Sequence, residues 1–87
     1  MTFRKDPDAE LDYTIDWSVW LDGDQIISSE WIVPAGLIRG SSSHTTTSCT
    51  VWLSGGSVGQ SYIVTDRITT AAGRIEDRSF TVRVEER

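Results

Sequence analysis

The sequence is short of the devices that small domains usually lean on. Its 87 residues include one cysteine, Cys49, so no internal disulfide can form. Small secreted domains commonly need such staples. Without them the chain is expected to fold in a reducing cytoplasm or with oligomeric support. No stretch approaches the roughly 18 apolar residues of a membrane helix. The opening Met1-Thr2-Phe3-Arg4-Lys5-Asp6-Pro7 turns charged before a signal-peptide core develops, so export by its own signal is not expected. A sustained three-to-four residue apolar period is missing, which excludes helices beyond one turn near Ser18 to Leu21. Lysine and arginine are absent from residues 6 to 30. That span carries eight acids: Asp6, Asp8, Glu10, Asp12, Asp16, Asp22, Asp24 and Glu30. From Arg39 onward six arginines face five acids, leaving a net charge of −5. Nucleic-acid binding needs a basic stripe, so that class is set aside. An acidic block steers toward a basic partner, or lets copies stack head to tail.

What is present is a period of two. Leu11, Tyr13, Ile15 and Trp17 alternate with Asp12, Thr14, Asp16 and Ser18, as in a strand with one wet face. Asp22-Gly23-Asp24 reads as a turn. Ile27, Ser29, Trp31 and Val33 could share a face in a strand from Gln25 to Val33, stopped by Pro34. A weaker strand follows over Leu37 to Ser41, with Ser41 to His44 expected as a loop. Thr47, Cys49, Val51 and Leu53 form the next row, and Gly55-Gly56-Ser57-Val58-Gly59 the next loop. A long strand from about Ser61 to Thr70 turns at Ala71-Ala72-Gly73 into a last strand, Arg74 to Glu85, with Phe80, Val82 and Val84 facing in. About seven short strands at such spacing predict a sandwich or barrel. Residues 1–10 are expected to be a flexible acidic segment, and 11–87 a single sandwich domain.

Candidate chemistry is sparse. Asp6, Asp8, Glu10 and Asp12 alternate, and Asp22-Gly23-Asp24 resembles part of a calcium loop. The remaining ligands and the closing bidentate Glu are missing, so no metal is expected. His44 lies in a Ser/Thr-rich stretch, and Cys49 falls on an inward row. Neither a nucleophile-elbow motif nor an acid, base and nucleophile constellation accompanies them, so no catalytic residue and no cofactor are assigned. Asp66 interrupts the row Tyr62, Val64, Ile68, and a bulge turning it outward is expected, since a buried carboxylate needs a partner. Trp17 and Trp31 are predicted core anchors. Trp20 and Trp52 fall on the opposite parity. They either cover a sheet edge, mark a protein-contact patch, or stack sugars.

Three segments together carry a resemblance. The first is Lys5-Asp6-Pro7-Asp8-Ala9 leading into Leu11-Asp12-Tyr13-Thr14-Ile15-Asp16-Trp17. The second is Ser29-Glu30-Trp31-Ile32-Val33-Pro34-Ala35-Gly36-Leu37. The third runs from Val51-Trp52-Leu53-Ser54-Gly55-Gly56 through Tyr62-Ile63-Val64-Thr65 and Ile68-Thr69-Thr70-Ala71-Ala72-Gly73-Arg74 to Arg78-Ser79-Phe80-Thr81-Val82. Over nearly its whole length the chain resembles small tailed-bacteriophage and prophage proteins labelled fiber-tail adaptors. The closing hairpin is also like bacterial and phage immunoglobulin-like domains. The resemblance implies a structural virion protein of the tail or neck, folded in the host cytoplasm and touching other tail proteins or copies of itself. It brings no cofactor and no catalytic residue. The expectation is therefore an all-β, immunoglobulin-like antiparallel β-sandwich of about seven strands. It is expected to be no enzyme and to bind neither nucleic acid nor membrane, with Trp20 and Trp52 as protein contacts. A carbohydrate- or host-surface-binding module is the alternative.

Overall fold

Alternating sequence becomes pleated strand almost throughout the computed structural model, which describes residues 1–86. The strands are β1 (Thr2–Lys5), β2 (Leu11–Asp16), β3 (Ile26–Ile32), β4 (Leu37–His44), β5 (Ser48–Gly55), β6 (Ser61–Thr70) and β7 (Ile75–Val84). The single helical turn, α1 (Ser18–Leu21), follows β2 and ends at Asp22 in the left-handed region, φ 48°. Among the described residues no helix is long and apolar enough to cross a membrane.

Two sheets face each other. One has the order β1-β7-β6-β3 and the other β2-β5-β4. All pairs are antiparallel except β1 with β7, which run parallel with Thr2 beside Thr81 and Lys5 beside Val84. The inward rows match the period of two. Tyr13, Ile15, Val51, Leu53 and Cys49 from one sheet meet Trp31, Val64, Ile68, Phe80 and Val82 from the other. Trp17 and Trp31 are both in this core, at 0% and 6% exposure. Fifteen buried apolar side chains are the main favourable term for a domain of this size.

Three local expectations need correction. Residues 1–10 are not a flexible tail in their first half, because Thr2–Lys5 supplies the seventh strand. Phe3 packs on Tyr13 and Phe80 with ring centroids 5.1 and 5.3 Å apart. Lys5 is buried, and its Nζ donates to the carbonyls of Asp6 and Gly55, each at 2.8 Å. Burial holds the Lys5 ammonium below its ordinary pKa, partly opposed by Asp6 and Asp8. One apolar ring and one satisfied ammonium thus tie the segment to both sheets.

Ser41–His44 is strand rather than loop, completing β4 against β5 with Ser42 beside Val51 and His44 beside Cys49. Serine-rich composition mimicked a loop because β4 is an edge strand with seven of its eight residues exposed. The third correction concerns Ile27. A register shift between Ile26 and Ser28 puts a bulge there, so Ile26 is buried at 3% and Ile27 stands out at 60% exposure. One extra residue inverts the parity of what precedes it.

The turn at Asp22-Gly23-Asp24 binds protein groups. Asp24 Oδ1 accepts from Gln25 N at 2.8 Å and Ala72 N at 3.1 Å, and Oδ2 from Arg74 Nε at 3.1 Å. Arg74 also donates to the Leu21 carbonyl at 2.9 Å. The network pins α1 to the β6–β7 hairpin. Hydrogen bonding, led by Thr70, lowers the Asp24 pKa to about 2 against the drag of desolvation. A carboxyl depressed in the folded state stabilises it above the unfolded value of about 4. That contribution fades as pH falls toward 2. Denaturant midpoints between pH 6 and 2 should therefore drop faster for the wild type than for Asp24→Asn; parallel profiles would refute the assignment.

Candidate functional site

The residues singled out from sequence fall into three places. The first is the core between the sheets. The β6–β7 register runs unbroken from Ser61 beside Arg83 to Thr69 beside Ile75, so no bulge turns Asp66 out. It keeps the inward parity of Val64 and Ile68 and is fully buried. Its oxygens accept from Trp17 Nε1 at 3.0 Å and Ser29 Oγ at 2.6 Å. Arg67 and Arg78, near Asp66 in sequence or hairpin register, are engaged elsewhere. Arg67 pairs with Asp77 through two bonds, of 2.8 and 3.0 Å. Arg78 lies over the Trp17 ring, 4.3 Å from its centroid, and donates to the Asp16 carbonyl. A buried carboxylate with two donors, one of them an indole, is a structural polar centre.

Cys49 closes this centre. It is fully buried, and desolvation is the main cause that pushes its pKa up to about 12, with Ser29 and Asp66 beside it. A thiol held neutral by burial is a poor nucleophile. The register does bring His44 opposite Cys49. The imidazole is nevertheless exposed, and its Nδ1 lies 2.9 Å from the Thr45 carbonyl. Among the described residues no three His, Cys, Asp or Glu side chains converge as metal ligands.

The second place is a cleft of about 270 Å³ where β2 approaches β7. It is lined by Met1, Phe3, Thr14, Ile15, Asp16, Arg78, Ser79 and Phe80. Its ionisable side chains are Asp16 and Arg78, and Arg78 is already engaged with Trp17. Sequence reading missed this cleft, because it depends on β1 pairing with β7 only from Thr81 to Val84 while β7 reaches back to Ile75.

The third place is the pair of off-parity tryptophans, which separate clearly. Trp20 sits in α1, partly buried, edge-on to Trp17 at 5.4 Å and under the Arg74 guanidinium at 4.2 Å. It closes one end of the sandwich. Trp52 points out of the middle of β5, 39% exposed, on the outer face of the three-stranded sheet. Asp12 stands directly opposite it on β2, and Ile38 of β4, 61% exposed, is nearby across from Ser54. Thr14 and Thr50 continue the face with hydroxyls 2.8 Å apart. This is an apolar and acidic surface on the outer face of the sheet.

Comparison with known proteins agrees with this architecture. The family model described as Podophage GP4 fiber-tail adaptor protein gp77 matches residues 5–83. Among solved structures, the solution structure of the PKD domain from KIAA 1837 protein is similar at 24% identity, with a TM-score of 0.59. The match covers 98% of this chain and 78% of that one. It shows the fold, an immunoglobulin-like sandwich of seven strands. No curated protein matches.

Proposed function

The chain belongs to the podophage GP4 fiber-tail adaptor (gp77) family, a family of structural phage tail proteins, and from that premise we propose that it is a non-catalytic joint held in the virion by protein–protein contact. The outer face of the β2-β5-β4 sheet, centred on Trp52, makes that contact. The observation that carries the reading is the exposed Trp52, in the middle of a paired strand with Ile38 and Asp12 around it. Aromatic residues at the centre of such patches supply a disproportionate share of binding energy. Trp20 supports this surface only indirectly, since its ring is taken up by Trp17 and Arg74. The absence of disulfides, with Cys49 buried, supports folding in the host cytoplasm before assembly.

The test is occupancy. Tailed particles purified from a phage encoding Trp52→Ala should carry the chain at a level reduced on the order of tenfold or more. The isolated variant should keep its melting temperature within a few degrees, as suits an outward-facing side chain. Undiminished occupancy would refute the assigned face.

A further inference from the structure

The face around Trp52 also indicates what chemistry it receives. Trp17 N donates to Thr47 O at 2.9 Å, in the same register as the rest of the β2–β5 pairing. Antiparallel pairs alternate, so 15/49 and 13/51 exchange backbone bonds, while 14/50 and 12/52 are the close, non-hydrogen-bonded pairs. The 2.8 Å contact of Thr14 with Thr50 fits that assignment. Asp12 and Trp52 therefore stand at the spacing where cross-strand side chains touch. On the other flank the neighbour is Gly40, where an added Cβ would lie 3.3 Å from Trp52 Cβ. Gly40 therefore sets no side chain against Trp52 from β4.

This chain already uses indole and oxygen acceptor together, twice, to hold a guanidinium. Arg74 lies 4.2 Å from the Trp20 centroid while its Nε donates to the Asp24 carboxylate. Arg78 lies 4.3 Å from the Trp17 centroid while Nη1 donates to the Asp16 carbonyl. Trp52 and Asp12 present the same combination, and among the described residues no arginine is seated on it. β2 and β5 contain no Lys or Arg. The one arginine of β4, Arg39, pairs with core-facing Leu53 and so lies on the opposite side of the sheet from Trp52. Among the described residues Asp12 has no salt-bridge partner. Among the described residues the face is thus acidic and aromatic, with no cation supplied by β2, β4 or β5.

We propose that Trp52 and Asp12 form a seat for an arginine presented by the partner protein, its guanidinium laid on the indole and bonded to the carboxylate. The proposal rests on the contact face described above and adds the chemistry of what docks there. Arginine suits the seat better than lysine, because its planar fork both stacks and pairs with a carboxylate, whereas an ammonium is a strongly hydrated point charge.

The probe is a capped Gly-Arg-Gly tripeptide, with Gly-Lys-Gly as its counterpart, titrated into the ¹⁵N-labelled protein. The arginine peptide should shift the Trp52 indole N–H and the Asp12 amide saturably. The lysine peptide should bind several-fold more weakly. Asp12→Asn should weaken arginine binding about threefold to tenfold, and Trp52→Leu should abolish it. Unchanged Trp17 and Trp31 indole signals confirm that each variant is folded. Equal shifts with both peptides, or indifference to Asp12→Asn, would overturn the seat. Loss of particle occupancy in Trp52→Ala combined with no peptide response leaves the contact face standing and refutes the arginine. Peptide binding with undiminished occupancy upholds the seat and refutes its use at that joint.

Discussion

Trp17→Ala is expected to lower folding stability by about 3–5 kcal/mol. A domain of this length holds on the order of 5–10 kcal/mol in total, so the variant would sit near the edge of folding at physiological temperature. The expectation comes from how many roles converge on one side chain. Trp17 is fully buried, edge-on to Trp20, roofed by Arg78, bonded through Nε1 to Asp66 and through its backbone N–H to Thr47. Truncation removes the largest fully buried side chain and strands a carboxylate acceptor at the same time. Trp17→Phe is the milder change. It keeps one ring in the core but loses the N–H donor and the rest of the indole, and should cost about 1–3 kcal/mol. Urea denaturation followed by far-ultraviolet circular dichroism measures both. A Trp17→Ala midpoint close to the wild type would mean that the core collapses around the gap far better than this packing allows.

The second large effect is at Asp66. Asp66→Ala leaves the Trp17 N–H and the Ser29 hydroxyl facing an apolar hole, and should cost about 2–4 kcal/mol. Asp66→Asn should cost less than half as much. Its carbonyl can still accept from Trp17, and its amide can donate to Ser29 once that hydroxyl rotates to accept. Carboxylate and amide have nearly the same shape, so the comparison isolates hydrogen bonding from volume. If alanine and asparagine proved equally damaging, the carboxylate would matter for its charge and not for the donors it satisfies.

Much of the fold was legible because the period of two is a direct projection of a pleated strand onto sequence. The rows Tyr13/Ile15, Cys49/Val51/Leu53, Val64/Ile68 and Phe80/Val82/Val84 lie inward as the alternation predicts. What stayed hidden depended on long-range partners. Nothing local reveals that Asp66 meets Trp17, 49 residues away, and without a visible partner the cost of a buried carboxylate favours an outward bulge. Register shifts lie instead at Ile27 and between Arg39 and Ser42, and at the first of these, two adjacent isoleucines offer no local sign of which one turns in. Lys5 argued for a solvated tail until Gly55 supplied a carbonyl from the other sheet. The outward position of Trp52 followed from parity alone. The half-burial of Trp20 did not, since it depends on α1 folding back under Arg74.

The parallel pairing of β1 with β7 has a mechanical consequence. Tension applied between the leading end of β1 and the trailing end of β7 pulls the two strands past each other along their length. The cross-links between them are then strained together, as in a lap joint, instead of being peeled open one at a time. A part that couples two bodies under load resists parting best when the strands that take the pull meet in this way.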